Sequence, residues 1–484
     1  MAGAGLDRVL LNFRVLLGLS ATALLAQLPA GDRARVLASM DASAPRYGEL
    51  SRQLWEFAEV GYKEERSARL LINDFKANGF RVQEQAGGIP TAFTATWGQG
   101  RPVIAILGEF DALPGMSQEP GPRRKAVRAN AAGHACGHNL LAAGAAMAAV
   151  AVRDHLMEKR LAGTIRFHGT PAEEGGAGKV YLIRAGAFEG ADVALMWHPS
   201  SSNRGDLATG LAISGGRFRF RGIAAHAAAA PWAGRSALDG AVLMAHAVDM
   251  LREHIPPEAR LHYIFSNGGA APNVVPDFAE LQLYARHPRM AALDAIWERV
   301  RKTALGAALA TDTNAGIEIE HSSWEILPNE PLTALADKNL RIVGGVKYTA
   351  EEQAFAEELR RSEGLLPAVP GSQETIEPVL TQSSTSTDLG DVSWLMPTIQ
   401  FSAAAWVPGV SAHTWQATAC SGTGIGRKGM AVGAKVLALT ALDLFHDSKQ
   451  VEAARAAFEK KRGGQIYRSR IPEGRKAPLD YRAR

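Results

Sequence analysis

Short apolar runs alternate along the chain with longer stretches whose apolar residues recur at helical spacing, the texture of an α/β fold with a largely parallel sheet. Residues 102–107 (PVIAIL), 164–168 (TIRFH), 191–197 (ADVALMW) and 398–402 (TIQFS) are strand candidates. Leu54, Phe57, Leu70, Leu71 and Phe75 place one helix over 51–76, the Ala-rich 139–157 predicts another with Asn139 as its cap, and 428–445 predicts a third. From about residue 213 the pattern changes. Phe218 and Phe220 alternate with Arg217, Arg219 and Arg221, as in a half-exposed antiparallel strand. Further strands at 261–265, 278–285 and 316–321, with helices at 236–254 and 290–309, complete a compact α+β unit inserted into the chain. After Pro328 the first texture resumes; 362–386 is rich in Pro, Ser and Thr and reads as loop, and the basic tail after Gly463 is expected to drape over the surface.

Composition narrows the class. With 484 residues, 46% hydrophobic and 21% charged, the chain is globular and long enough for about three domain-sized units. The charges nearly cancel (53 Lys+Arg against 49 Asp+Glu, 53 − 49 = +4), and no dense Lys/Arg run with interleaved aromatics marks a nucleic-acid partner. Two cysteines cannot build a disulfide framework. Residues 15–26 (VLLGLSATALLA) follow Arg8 and Arg14 and are too short to span a bilayer, which takes about 20 apolar residues. They fit the apolar core of an export signal, so an exported, periplasmic protein is expected, with a cytoplasmic one as the alternative. No other stretch suggests a membrane span.

The chemistry-bearing residues gather at strand ends. His134-Ala135-Cys136-Gly137-His138 opens the Ala-rich helix, Glu173-Glu174 follows the strand 164–168, His198 ends the strand 191–197, and His413 follows 398–402. Open parallel sheets place their binding crevice at these ends. Cys, His and carboxylate are the donors that zinc and similar ions take, and a thiol beside a helix N-terminus ionises more readily.

The ordered strings GHACGHN, GTPAEEGGAGK, WHPS, AAHAAAAPWAGRSALD, NVVPD and HTWQ resemble the M20 metallopeptidase family, in its amidohydrolase branch. SSWEILPNEPL, STDLGDVSW, SAHTWQATA and RKGMAVGAK are most similar to the p-aminobenzoyl-glutamate hydrolase subunit type within it, and the match runs from about Arg46 to Tyr467. The resemblance implies a phosphorylase/hydrolase-like α/β catalytic domain, formed by residues 34–211 and 329–465, and an inserted α+β lid at 212–328 that carries the dimer contact. Residues 1–33 would be the signal or extension and 466–484 a tail. It implies Cys136, His138, Glu174, His198 and His413 as ligands of two divalent ions, zinc or manganese, with Cys136 bridging them. It also implies Glu173 as general base, Asp111 as the acid orienting a ligating imidazole, and His226 as an oxyanion donor reaching into a partner subunit's site. Asn273, Arg235 and Arg286 would contact substrate. Glu109 stands where the family usually has Asp, His134 has no ligand role, Asp388 and Asp391 would shape the loop below the site, and Cys420 is an ordinary small residue. Arg427 replaces a common His near the expected substrate pocket, and so bears on which acidic product half is accepted.

The implied activity is metal-dependent hydrolysis of the amide bond in N-acyl amino acids, aromatic-acyl ones such as p-aminobenzoyl-glutamate foremost, by a homodimer or a hetero-oligomer with a related subunit. The alternatives are a dipeptidase or general aminoacylase, and a catalytically inactive metal-binding partner subunit. Retention of the five ligands, Glu173 and His226 argues against the last.

Overall fold

The computed structural model describes residues 28–482, so the export expectation for 15–26 lies outside the described residues. Among the described residues, eleven strands form two sheets. β1 (Arg81–Glu84), β2 (Phe93–Gln99), β3 (Val103–Gly108), β4 (Gly163–Gly169), β5 (Val193–Ser200), β6 (Arg204–Gly205) and β11 (Thr398–Ala404) make a seven-stranded sheet in the order β1-β2-β4-β3-β5-β11-β6. Its middle, β4-β3-β5-β11, is parallel, and β1, β2 and β6 join it antiparallel at the flanks. Every residue of β3 is buried, as a strand covered on both faces requires.

Helices Ala30–Phe57, His138–Lys159 and Gly424–His446 pack together against this sheet. The last two are long and apolar enough to cross a membrane by composition, contrary to the expectation that no such stretch exists. Their apolarity has another cause, since 78% and 83% of those windows is buried inside the fold. Gly144 and Gly433 bring both helices onto Trp197, whose indole donates to Leu141 O at 3.1 Å; a Cβ at Gly433 would come within 2.4 Å of the ring. This is a close approach that glycine permits.

Two helix expectations need correction. Instead of one helix over 51–76 there are two, Ala30–Phe57 and Glu65–Ala77. Ala58 (φ 43°) and Tyr62 (φ 64°) turn left-handed between them, and the fully buried Glu64 accepts from Ala172 N (2.9 Å) and Thr91 Oγ1 (2.8 Å), which holds the break open. Asn139 does not cap the helix His138–Lys159; the capping position is Gly137 in the left-handed region (φ 72°), and Asn139 Nδ2 donates to Ser51 and Ser421.

The second sheet is built from β7 (Ala212–Arg221), β8 (Arg260–Asn267), β9 (Phe278–His287) and β10 (Asn314–Ser323), all antiparallel in the order β10-β7-β9-β8. Phe218 and Phe220 face its own apolar core, beneath helices Ala237–Leu251 and Met290–Ala310. Arg217 and Arg219 pair with Glu280, Glu318 and Glu320 on the other side of the pleat. Two separate cores, one per sheet, thus divide the described residues.

The tail does not lie loosely on the surface. After the helix Ser448–Arg462 it threads the junction between the two units. Arg468 O accepts from Trp324 Nε1 (3.0 Å), Tyr467 donates to Asp391 (2.7 Å), Arg470 pairs with Asp294 (2.5 Å), Arg475 pairs with Glu318, and Ile471 is buried.

Candidate metal centre

The C-terminal ends of the parallel strands deliver the expected donors to one place. Cys136, His138 and His198 bring ligand atoms within 4.8 Å of one another, and Cys136, Glu174 and His413 do the same. The two groups share one sulfur. Cys136 Sγ lies 3.5 Å from His198 Nε2, and His413 Nε2 lies 3.1 Å from Glu174 Oε1. His198 comes from the last residues of β5, opposite Ser402 of β11; His413 follows β11 in the left-handed conformation (φ 62°), its N–H donating to Ala135 O (2.8 Å).

Local bonding fixes which imidazole nitrogen faces the cluster. Nδ1 of His138 donates to Asp111 Oδ1 (3.0 Å), and Nδ1 of His198 donates to Pro199 O (2.8 Å). Both rings therefore turn Nε2 toward the cluster, the orientation in which imidazole binds a metal. Asp111 also accepts from Glu174 N through Oδ2 (2.9 Å), so one carboxylate orients donors of both groups. Gly137 makes room between Cys136 and His138, where a Cβ would press within 2.9 Å of Pro199.

The Glu173-Glu174 turn is held in unusual backbone. Ala172 (φ 58°), Gly175 (φ 88°) and Ala177 (φ 54°) are left-handed, and Glu174 itself has ψ 66°. Left-handed alanines cost on the order of 1–3 kcal/mol each and persist where the surroundings over-determine them. Glu64, Asp111 and Asp388 supply acceptors to Ala172 N, Glu174 N and Lys179 N, and Tyr62 donates to Gly176 O (2.7 Å). The carbonyl of Glu174 receives Tyr481 Oη (2.9 Å) and the Arg482 guanidinium from the tail.

Charge is strongly unbalanced here. Glu109, Asp111, Glu173, Glu174 and Asp388 surround a single buried ammonium, Lys179, which pairs with Glu109 and Asp388. Burial first, then the neighbouring Glu109, Glu174 and Asp388 carboxylates, push the Glu173 carboxyl well above its usual range. Burial, followed by Glu174, likewise pushes the Cys136 thiol up. Burial opposes protonation of His138, yet the Cys136 and Asp111 charges outweigh it and raise its pKa. His138 Nε2 and Glu174 Oε1 are buried, and neither has a partner beyond its contact with Glu109 and His413 respectively. Converging donor atoms, clustered carboxyl groups and a soft sulfur that a bound cation would help to ionise are a site that divalent cations fit.

Glu109, Lys179 and Asp388 escaped sequence reasoning as a unit. Glu109 Oε2 lies 3.2 Å from His138 Nε2, and Glu109, His138 and Glu173 form a third compact group. The available signal was a lone lysine at the start of the apolar stretch GKVYLIR. Asp391 does not shape the same loop floor as Asp388; it accepts from Trp324 N (3.1 Å) and Tyr467 at the junction of the two units. His134 donates to Leu54 O (3.0 Å), and burial lowers its pKa to about 3, so it is a neutral packing residue. Cys420 is a buried free thiol.

The remaining expected residues stand apart from the cluster. His226 is exposed, its Nδ1 accepting from Ala228 N (3.2 Å) and Ala229 N (3.0 Å), and it bridges to Val274 beside Asn273. Arg235 is paired with Asp312 (2.6 Å), and Arg286 donates to Ser386 Oγ (2.7 Å). None of these four hydrogen-bonds or ion-pairs with a residue of the cluster. Arg427 packs under Gly48 and donates to Gly422 O (3.3 Å), so its guanidinium is tied to the helix bundle.

A family model for peptidase family M20/M25/M40 matches residues 105–383, which include Cys136, His138, the Glu173-Glu174 turn and His198. A p-aminobenzoyl-glutamate hydrolase subunit of Escherichia coli (strain K12) is 37% identical over 463 residues, covering 90% of this chain and 96% of that protein. Xaa-Arg dipeptidase of Mus musculus is 34% identical over 441 residues, 88% of this chain and 91% of that one. Among solved structures, a Bacillus subtilis dinuclear metal-binding peptidase of the M20 family shares the fold with TM-score 0.58 at 18% identity, covering 84% of this chain and 99% of that chain. An aminobenzoyl-glutamate utilization protein from Klebsiella pneumoniae does so with TM-score 0.58 at 18% identity, covering 84% and 97%. With donors for divalent ions converging at the strand ends and most of the chain aligned to such relatives, the chain belongs to peptidase family M20 and is a metal-dependent amidohydrolase.

Proposed function

We propose that the chain hydrolyses the amide bond joining an acyl group, aromatic in its preferred substrates, to an amino acid, with p-aminobenzoyl-glutamate as the reference substrate. The observation that carries this reading is the pair of ligand groups sharing Cys136 Sγ, with the Glu173 carboxylate beside them. Cys136, His138 and His198 would hold one divalent ion, zinc or manganese, and Cys136, Glu174 and His413 the other. Ions bound there supply a Lewis acid that acidifies water and polarises the amide carbonyl.

The chain's own groups do the rest. Asp111 keeps His138 in the ligating tautomer. Glu173, raised in pKa by burial and its acidic neighbours, takes a proton from the attacking water and returns it to the departing amine. Because His226 Nδ1 accepts two backbone N–H groups, its proton sits on Nε2, free to donate to the oxyanion. Asn273, beside it with an uncommitted side-chain amide, is suited to a polar group of the substrate. Arg235 and Arg286 would grip a substrate carboxylate only by exchanging Asp312 and Ser386.

His226 is exposed on the inserted unit, which favours action across a subunit boundary. β8 is one of the two edges of its sheet, and Ile264 and Phe265 on it, with Val242, Leu243 and Met250 on the helix Ala237–Leu251, are exposed apolar residues. A second copy pairing there gives the homodimer, and the name of the E. coli relative, one subunit of a hydrolase, supports a related partner as the variant of this reading.

The likeness to Xaa-Arg dipeptidase favours a dipeptidase as the second reading. Purified chain loaded with zinc or manganese is to be assayed side by side on p-aminobenzoyl-glutamate, hippurate and Xaa-Arg dipeptides. A kcat/KM at least tenfold higher for the aromatic acyl substrates is expected. The reverse order selects the dipeptidase, and no turnover with full metal content selects the inactive partner subunit.

A further inference from the structure

The carbonyl of Glu174 is held by residues more than 300 positions away (|i−j| of 307 and 308). Tyr481 donates to it at 2.9 Å and Arg482 donates through its guanidinium. The slot is shaped for the tyrosine. Its ring meets Tyr62 edge-on at 5.8 Å, and a Cβ at Gly61 would fall 2.3 Å from its hydroxyl. A Cβ at Gly176 would come 3.3 Å from the ring. Lys63 pairs with Asp480 (2.6 Å) beside it. Upstream, Arg470 and Arg475 anchor the same segment to Asp294 and Glu318 of the inserted unit, so it is pinned at both ends.

The two peptide groups that flank the Glu174 Cα are thereby each held, the N–H by Asp111 and the carbonyl by the tail. With ψ 66° at Glu174 and Ala172, Gly175 and Ala177 left-handed around it, this four-residue turn departs from regular helical geometry and leans on contacts from outside itself. The direction in which the Glu174 side chain leaves the backbone follows from the orientation of those two peptide groups.

We infer that Tyr481 and Arg482, carried on the C-terminal strap, are positioning residues that aim Glu174 at the position it shares with His413. The inference rests on the reading of Cys136, Glu174 and His413 as ligands of one ion. Holding a ligand through hydrogen bonds of this kind changes metal affinity by about 10–100-fold.

The test uses full-length Tyr481→Phe/Arg482→Ala, stripped of metal and titrated with zinc against a chelator, with His413→Ala marking the step that belongs to this ion. Tyr481→Phe alone keeps the ring in its slot and guards against a folding defect in the double variant. The His413-dependent step is expected to weaken roughly tenfold in the double variant while the other step is unchanged. Amides 173–177 are expected to exchange hydrogen faster in the metal-free protein. Unchanged affinity with unchanged exchange would overturn the inference, and so would equal weakening of both ions. If the wild type takes up no zinc, the reading of the centre fails, and the exchange rates alone decide the strap.

Discussion

The two units of the molecule carry their chemistry in opposite ways. In the larger, donors sit at the ends of strands buried on both faces, and each is fixed by a second contact: Asp111 on His138, Pro199 O on His198, Ala135 O on the His413 backbone. In the inserted unit, His226 and Asn273 stand exposed on connecting segments beside a sheet with a free edge. A parallel sheet covered by helices can concentrate ionisable groups because the surrounding core keeps their geometry. An antiparallel sheet with one open face offers its residues outward, where their use depends on what docks there. The contrast teaches that the larger unit brings a cluster of metal-capable donors together by itself, whereas His226 stands exposed and apart from them.

The sharpest break in that contrast comes from the shared sulfur. Cys136→Ser should release both ions and abolish turnover, whereas Glu173→Gln should keep both and lower kcat by on the order of 10²–10⁴-fold. Metal analysis of the purified variants beside initial rates checks this, and loss of only one ion from Cys136→Ser would refute the shared role. A smaller effect probes the inserted unit. His226→Ala should lower kcat by about 10²–10³-fold at full metal content. Dissociating and reassociating it with Glu173→Gln chains should recover about a quarter of wild-type activity, since half the random dimers are mixed and each then has one intact site. No recovery would place His226 in its own subunit's site.

The weakest expected effect lies at the junction of the two units. Burial raises the Asp391 carboxyl from 3.8 to about 8. Below that value it stays protonated in the folded chain, while the unfolded chain releases the proton near 3.8. Folding stability should therefore decline as pH rises through this window. Asp391→Asn should flatten the fall of Tm with pH between about 4 and 8; a slope identical to wild type would assign the dependence to other groups.

Much of the larger sheet, and which side chains gather at its strand ends, is legible in the sequence because both are local. A strand ending in TIRFH with Glu173-Glu174 just after it, or Cys136 and His138 at a helix start, declares its address within a few residues. What escaped depends on distant partners. Lys179 pairs with Glu109 and Asp388 across 70 and 209 positions, and the bonding that breaks the helix at Ala58–Glu64 comes from Thr91 and Ala172. Asn139 looked like a cap because asparagine often is one, but its amide is taken by Ser51 and Ser421, and Gly137 does the turning. Arg427 drew attention as a charge near the expected pocket, yet its stem fills the space under Gly48.

The course of the tail has a practical consequence for anyone handling the protein. Arg482 and Tyr481 reach the main chain of a residue in the cluster, so trimming or proteolysis that removes residues 480–482 would take both donors from the Glu174 carbonyl. A preparation shortened there would report on a loosened turn as much as on the enzyme.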